Sequence, residues 1–370
     1  RKRNRVEYAD RGTDHYHSAK RTEYCRYAEF LADGGAWAGD RGRSVYRCDE
    51  QEGKVMKKKI AIPDTLSRLL AVILIAALLS ITCPNFLTVN NILNIFNQAS
   101  LNVFIAIGMM MTMLIGGIDL SVGSVLAISS VLAARFFFQD DLVSIILGIL
   151  FAMTIGIACG LVNGTMVSVF KLPAFLVTFG MSQICRGFAY LYMNGKVFNG
   201  FSDSFKVIGK GRLVGKVQMP ILISLVCLVL MAMFLKKSIL GRQIYVSGSN
   251  PSCAKYSGIN INKITMLCYA FSGMFAALAG VVYVSRLDAA EATIGTAYAN
   301  DAIAAAAIGG ISFVGGKGNV YGTVIGAVLL TLIKNGMNQL GIATEYQKVV
   351  TGLVIIIAVL IDRKSAKIAR

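Results

Sequence analysis

Residues 142–170 read LVSIILGILFAMTIGIACGLVNGTMVSVF and contain no charged side chain. A helix needs about 20 mainly apolar residues to cross the hydrocarbon core of a bilayer, and this stretch exceeds that length. The whole chain has a similar character, since 55% of its residues are hydrophobic and 15% are charged. Soluble domains carry roughly 25% charged residues. The sequence therefore predicts a protein that lies largely in lipid.

Comparable apolar runs recur along the chain and predict an all-α fold, a polytopic transmembrane helix bundle of about ten spans. The candidate spans are 66–83, 92–115, 118–138, 142–170, 172–193, 219–235, 264–287, 302–314, 320–340 and 349–361. The runs 302–314 and 349–361 are short for spans, and only Gly116 and Gly117 separate the second run from the third. An even number of spans places both termini on one side of the membrane.

The basic residues give the orientation, because Lys and Arg collect in cytoplasmic loops. Basic clusters flank the first span and follow the last, and the loop 236–263 is basic without an acid. We therefore expect cytoplasmic termini, a cytoplasmic loop 236–263, and external loops at Asp140 and Asp288. The formal net charge of +17 has the same origin, and nucleic-acid binding is not predicted. The loop 194–218 is also basic although the count places it outside; either it docks a partner or the count is wrong by one nearby.

Residues 1–55 differ from the rest of the chain, since they are rich in Arg, Asp, Glu and Tyr and lack apolar periodicity. The composition changes at Met56, where three lysines precede an apolar helix, as in many inner-membrane proteins. We interpret residues 1–55 as mis-assigned upstream translation and residues 56–370 as the transmembrane domain. The alternative is that residues 1–55 form a disordered cytoplasmic tail.

The segment 117–124, GIDLSVGS, lies between two apolar runs and brings Asp119 to membrane depth or its edge. A carboxylate there is costly, which makes Asp119 a candidate functional residue. The alternative, which we favour, is that Asp119 or Ser121 caps the next helix by accepting hydrogen bonds from its free N–H groups.

The basic loop contains residues 241–259, GRQIYVSGSNPSCAKYSGI. Asn250 suits an N-cap, Pro251 suits the first helical position, and Gly258 suits a left-handed stop. These residues predict a short helix that lies across the cytoplasmic face. A two-turn helix is unstable alone in water, so its defined ends indicate that a partner subunit holds it.

These two segments, together with 173–180, 301–310, 315–318 and 335–336, resemble ribose-type permeases of ABC sugar importers, in the same order. The resemblance runs from about residue 66 to 362. It implies a multi-pass permease subunit of the bacterial inner membrane, with residues 56–370 as its permease domain, that imports a ribose-like or related monosaccharide by alternating access. Ala299 and Lys196 depart from the family's usual residues and leave the particular sugar open.

The resemblance also implies three protein partners: an ABC ATPase subunit, an extracytoplasmic sugar-binding protein, and a second permease subunit, which we expect to be identical. The segment 241–259 corresponds to the family's coupling helix. The implied ATPase-coupling residues are Gly241, Arg242, Gly248, Asn250, Ala254, Tyr256 and Gly258.

We expect no enzymatic activity and no cofactor on this chain. The glycines at 310 and 315–318 have the wrong spacing for a nucleotide-binding loop and lack its Ser or Thr, so ATP and magnesium are expected on the partner subunit. Most cysteines lie in apolar runs, where Cys behaves as a small hydrophobic residue, so we expect no metal site. Histidine, paired carboxylates and any nucleophile with a base are lacking in the apolar region, which argues against a membrane enzyme.

The sequence offers five candidates for the translocation path or its gating, which are Asp119, Ser121, Asn163, Thr178 and Asp301. The alternative for Ser121, Asn163 and Thr178 is that they make contacts between helices. The same alternative applies to two further polar residues, Asn97 and Asn102. A rival function is an ion-coupled secondary transporter of a small polar solute, which would place carboxylates near the bilayer midplane. Small residues at 156, 160 and 164, at 322 and 326, and at 302, 306 and 310 predict closely packed helices.

Overall fold

The computed structural model describes residues 64–83 and 85–368, and the interpretation of residues 1–55 lies outside these ranges. The described chain is predominantly helical, as the sequence predicts. Its helices are α1 (Asp64–Thr82), α2 (Val89–Leu114), α3 (Val122–Ala133), α4 (Leu142–Ser168), α5 (Ala174–Met193), α6 (Asp203–Lys210), α7 (Met219–Lys237), α8 (Ile239–Ser249), α9 (Pro251–Tyr256), α10 (Ile261–Leu287), α11 (Tyr298–Ile308), α12 (Val320–Gln339) and α13 (Thr344–Ile368). The 3₁₀ turn Ala134–Phe138 extends α3.

Two short antiparallel strand pairs accompany the helices. Strand β1 (Phe198–Asn199) pairs with β4 (Ala289–Ala290), and β2 (Arg212–Val214) pairs with β3 (Val217–Gln218). Both pairs lie in connections between long helices, so they tie loops together and leave the helical architecture unchanged.

Five of the described helices, α2, α4, α7, α10 and α12, are long and apolar enough to cross a membrane. The segments Arg68–Thr82 and Val122–Phe138 are shorter apolar helices. The prediction of an all-α protein with several candidate membrane spans is therefore confirmed.

Helices α2 and α10 lie at the centre of the bundle, where their side chains are buried on most faces. Helix α4 exposes most of its large apolar side chains and is buried chiefly at small residues. A Cβ atom on Gly156 would overlap the carbonyl oxygen of Gly273, and one on Gly160 would overlap that of Tyr269. The predicted close approach of helices at these glycines is therefore confirmed.

Three predicted spans differ most from the helices of the structure. The run 302–314 is not one helix, because α11 ends at Ile308 and Gly310 adopts a φ of 76° that a helix cannot continue. The run 118–138 becomes helical only at Val122 and tightens to a 3₁₀ turn at Ala134. Helix α13 extends the last span at both ends, from Thr344 to Ile368.

The basic loop 194–218 packs against the two acidic loops. The amide of Phe201 donates to Asp288 Oδ1 at 2.9 Å, and the amide of Ser204 donates to Asp140 Oδ1 at 3.1 Å. Lys206 pairs with Asp203 and with Asp288, and its hydrogen bond to Asp203 is the main reason why the pKa of Lys206 is raised. The loop therefore lies at the same end of the bundle as Asp140 and Asp288, as the helix count requires.

Candidate coupling and translocation sites

The short helix α9 has the ends that the sequence predicts. The side chain of Asn250 accepts a hydrogen bond of 3.0 Å from the amide of Cys253, Pro251 occupies the first turn, and Gly258 has a φ of 78°. One face of α9 is directed inwards through Ala254, which is fully buried. The opposite face is exposed, and the Tyr256 side chain is 91% exposed. Helix α9 therefore leaves an aromatic side chain accessible to another molecule.

Helix α8 precedes α9 and was not expected from the sequence. Its N-cap is Ser238, whose hydroxyl accepts a 2.8 Å hydrogen bond from the amide of Gly241. A Cβ atom on Gly241 would overlap the carbonyl oxygen of Leu235, so glycine allows α8 to fold back against the end of α7. Ser238 before an apolar pair, Ile239 and Leu240, is the sequence signal that would have indicated this helix start.

Three segments of backbone meet at the C-terminal end of α8. A Cβ atom on Gly248 would overlap the carbonyl oxygen of Leu114, the last residue of α2. The same carbonyl accepts a 2.8 Å hydrogen bond from the amide of Gly316, in the loop after α11. A Cβ atom on Gly315 would lie 2.8 Å from the amide nitrogen of Gly116. We call Leu114, Gly116, Gly248, Gly315 and Gly316 the glycine junction.

Two side chains of α8 reinforce the glycine junction. The Tyr245 hydroxyl donates to the carbonyl of Gly318 at 2.9 Å. The Ser249 hydroxyl lies 2.8 Å from the carbonyl of Tyr245 and 3.4 Å from that of Gly316. Helix α8 is thus fixed both to the end of α2 and to the loop that connects α11 with α12.

The predicted coupling residues divide into three groups by their burial. Gly241, Gly248 and Ala254 are buried within this chain, Asn250 is half-buried as the cap of α9, and Arg242, Tyr256 and Gly258 are exposed. The last three are accessible to a partner, and Asn250 is accessible in part. The buried three make contacts within the chain, and their assignment as coupling residues stays a prediction.

The connection between α2 and α3 carries a buried polar network. Asp119 Oδ1 accepts hydrogen bonds from the amide of Ser121 at 2.9 Å and from its hydroxyl at 2.5 Å. Asp119 Oδ2 accepts from the hydroxyl of Ser272, on α10, at 2.7 Å. Asn163, on α4, donates to the Ser121 hydroxyl at 2.9 Å. These four side chains join the break after α2 to both α4 and α10.

The expectation that Asp119 or Ser121 caps α3 through its side chain is wrong. Ser121 is the N-cap residue by position, yet its side chain accepts no hydrogen bond from the first turn of α3. Its hydroxyl donates to Asp119 instead, and Asp119 lies too early in the chain to reach the amides of that turn. The carboxylate serves a contact between helices, which the sequence could not reveal because Ser272 is distant along the chain.

Thr178 and Asp301 belong to different surroundings. The Thr178 hydroxyl lies 3.2 Å from the carbonyl of Ile118 and 2.9 Å from that of Ala174, so it contacts the same α2–α3 connection as the network. Asp301, on α11, pairs with Lys334, on α12, at 2.5 Å. The structure therefore brings Asp119, Ser121 and Asn163 together, with Thr178 beside them, and places Asp301 apart.

Of the remaining polar residues, Asn102 joins α2 to α12, and Asn97 joins α2 to the last residue of β3. The Asn102 side chain donates to the Thr331 hydroxyl at 2.8 Å, and Asn97 donates to Gln218. Sequence reasoning missed Ser272 and Lys334. Lys334 had a usable signal, because a lysine inside the apolar run 320–340 is an intramembrane charge and hence a functional candidate.

Comparison with known proteins gives concordant results. The model of the family described as branched-chain amino acid transport system / permease component matches residues 91–359. The chain is 41% identical over 300 residues to the ribose import permease protein RbsC of Escherichia coli strain K12, covering 80% of this chain and 92% of that protein.

Two further relatives extend the comparison. RbsC of Bacillus subtilis strain 168 is 37% identical over 317 residues, covering 84% of this chain and 97% of that protein. The D-allose transport system permease protein AlsC of Escherichia coli strain K12 is 37% identical over 297 residues, covering 80% and 90%. No solved structure matches the chain.

Proposed function

This chain belongs to the family described as branched-chain amino acid transport system / permease component, and from that premise we propose that it is the membrane-spanning permease subunit of an ATP-driven, binding-protein-dependent monosaccharide importer. The relatives named as ribose and D-allose permeases support a sugar as the substrate. The multi-pass inner-membrane location follows from the family and from the apolar helices.

The observation that carries the proposal is the exposed outer face of α9. A six-residue helix is unstable alone, and here Asn250, Gly258 and the buried Ala254 fix it to the rest of the chain. An exposed Tyr256 on so short a helix is suited to a groove in a partner, since tyrosine is enriched where binding energy concentrates. The partner that we assign to this face is the ATPase subunit, which binds ATP and magnesium.

The proposed mechanism is alternating access driven through the glycine junction. ATP binding draws the ATPase subunits together and displaces α9 with α8. Because α8 meets the end of α2 and the loop 309–318 at backbone distance, it pushes on α2 and on both helices flanking that loop. The network of Asp119, Ser121, Asn163 and Ser272 then carries the displacement to α4 and α10.

We assign ten membrane crossings to the chain, at α1 to α5, α7 and α10 to α13, with both termini in the cytoplasm. Helices α3 and α11 are too short to cross alone, so their crossings include the adjoining residues outside the helix. Several contacts support this topology. Leu114, at the end of α2, meets Gly248, and Lys171, just after α4, donates to Asn262 at 3.0 Å beside the start of α10. Asp140 and Asp288 meet the loop 194–218 at the other end. Each contact joins helix ends or loops that a ten-span topology places on the same side of the membrane.

The remaining partners are an extracytoplasmic sugar-binding protein and a second copy of this permease. The binding protein would deliver sugar at the end that bears Asp140 and Asp288. The path itself lies between two permease subunits, so one copy of the chain is incomplete as a transporter.

The test is reconstitution of the chain in liposomes with the ATPase subunit and candidate sugar-binding proteins. We expect ATP hydrolysis and sugar uptake that both require a loaded binding protein. Uptake that persists without ATP and collapses with an ion gradient would instead establish the ion-coupled alternative.

A further inference from the structure

A second polar feature lies away from the glycine junction and from the Asp119 network. It is an open cavity of ≈ 360 Å³ between α2, α10, α11 and α12, near the end of α10 that bears Leu287. Its polar and aromatic lining comes from Asn102, Tyr283, Arg286, Tyr298, Asp301 and Lys334. Binding pockets for small molecules occupy about 300–1,000 Å³, so the cavity has the volume of a small-ligand site.

Asn102 and Arg286 each bring to the lining a polar group that has no partner within the described residues. Asn102 donates through its amide nitrogen to Thr331, but its Oδ1 atom is buried and accepts no hydrogen bond. The half-buried guanidinium of Arg286 forms neither a hydrogen bond nor an ion pair with the described chain. A buried acceptor without a donor, such as Asn102 Oδ1, is expensive, so a native structure that retains it indicates a ligand or water at the site. The guanidinium of Arg286 adds available donors in the same cavity.

The charges of the lining distinguish between classes of ligand. Lys334 is neutralised by Asp301 at 2.5 Å, which leaves Arg286 as the unmatched charge. A phosphate or carboxylate would satisfy Arg286, but it would also meet the Asp301 carboxylate and the bare Asn102 oxygen. A hydroxyl group both donates and accepts hydrogen bonds, so a molecule with several hydroxyls satisfies Arg286 and Asn102 together.

The lining also provides an aromatic surface. The rings of Tyr283 and Tyr298 are in edge-to-face contact, with centroids 6.0 Å apart. A sugar ring has an apolar C–H face in addition to its hydroxyls, and an aromatic ring offers a complementary surface for it. Hydroxyl partners and an aromatic surface thus occur in the same cavity.

We propose that this cavity contacts the neutral monosaccharide during its passage. Arg286 donates to sugar hydroxyls, Asn102 Oδ1 accepts from one, and the Tyr283–Tyr298 pair lies against the C–H face. This inference rests on the proposed function, because it identifies where that substrate touches the permease. The cavity lies at the end of the bundle opposite α9, which is the end that receives sugar from the binding protein in the topology proposed above.

The test uses the complete reconstituted complex, with labelled ribose, allose and galactose as probes. The variants are Arg286→Gln, Arg286→Lys and Asn102→Leu. Lys348→Gln is the matched control, because Lys348 is an exposed basic residue of α13 that neither lines the cavity nor belongs to the loop 194–218. Sugar uptake and ATP hydrolysis stimulated by loaded binding protein are measured in the same vesicles.

We expect Arg286→Gln and Asn102→Leu to slow uptake about tenfold or more, which is the usual consequence of losing a hydrogen bond to a charged or buried group. ATP hydrolysis stays within about twofold of wild type, since α9 and the glycine junction are untouched. Arg286→Lys keeps the charge and the aliphatic stem, so it inserts normally yet slows uptake because it loses the planar donor set. Lys348→Gln transports like wild type.

Uptake within about twofold of wild type in Arg286→Lys and Asn102→Leu would overturn the inference. A parallel loss of uptake and ATP hydrolysis would also overturn it, because that result indicates a structural or docking role for the cavity. If the wild-type complex transports no sugar at all, the proposed function itself fails, and the two failures are thereby distinguished.

Discussion

The amide of Gly316 donates a 2.8 Å hydrogen bond to the carbonyl oxygen of Leu114, which joins the loop after α11 to the last residue of α2. Gly248 lies against the same carbonyl, so α8 is in contact with both. A displacement of α8 is therefore passed directly to backbone rather than to flexible side chains. This rigidity is the physical basis of the coupling proposed above.

Replacement of Gly248 by alanine is expected to disrupt coupling. The added Cβ atom would overlap the Leu114 carbonyl oxygen, and crowding of a packed site costs about 1–3 kcal/mol. We expect ATP hydrolysis stimulated by loaded binding protein to fall about tenfold or more. Gly187→Ala is the control, because a Cβ atom there meets no atom within 4 Å, and it should behave like wild type. Equal activity of the two variants would contradict the role of the junction.

Tyr256→Ala is expected to separate partner binding from folding. The side chain is 91% exposed, so its loss should leave the thermal stability of the permease unchanged. Uptake should fall about tenfold or more, as for a tyrosine at the centre of an interface. The matched control is Tyr346→Ala, which removes an exposed tyrosine at the start of α13. Wild-type uptake in Tyr256→Ala would show that α9 does not bind the ATPase through this residue.

Two substitutions of Asp119 should differ in stability. Asn keeps one oxygen for Ser121, and the Ser272 hydroxyl can rotate to accept from its amide, so Asp119→Asn should unfold near the wild-type temperature. Leu leaves three donors without an acceptor, and Asp119→Leu should lose about 2 kcal/mol or more. Thermal unfolding in detergent measures both. Equal stability of the two variants would show that the carboxylate is not the acceptor that holds the network together.

Gly156→Leu is expected to separate α4 from α10. A side chain at this position would overlap the carbonyl of Gly273, and small residues provide the close packing that holds helices together in lipid. We expect a lower unfolding temperature, corresponding to about 1–3 kcal/mol. Gly187→Leu, on an open face of α5, serves as the control. A Gly156→Leu protein as stable as this control would contradict the packing assigned to the pair.

Much of this architecture could be predicted from the sequence, because apolar length and end-capping residues act locally. Asn250, Pro251 and Gly258 define α9 through their own backbone preferences, and the structure confirms all three. Gly156 and Gly160 predicted a close helix contact, although the sequence could not identify α10 as the partner.

The features that escaped prediction depend on distant parts of the chain. Asp119 meets Ser272, 153 residues later, and Asp301 meets Lys334 on another helix. Local patterns do not encode such pairs. The buried side of Ala254 was also missed, because the six residues of α9 are too few to show which face packs against the chain.

The most direct test of the coupling claim is thiol labelling of a Ser252→Cys protein whose other cysteines have been replaced, because Ser252 is an exposed residue of α9 and Tyr256 stays in place. We predict that a membrane-impermeant maleimide labels Cys at this position in inside-out vesicles but not in intact cells. Addition of the purified ATPase subunit to the vesicles should block the labelling. Labelling in intact cells, or labelling that the ATPase subunit leaves unchanged, would contradict the assignment of α9 as the contact that drives transport.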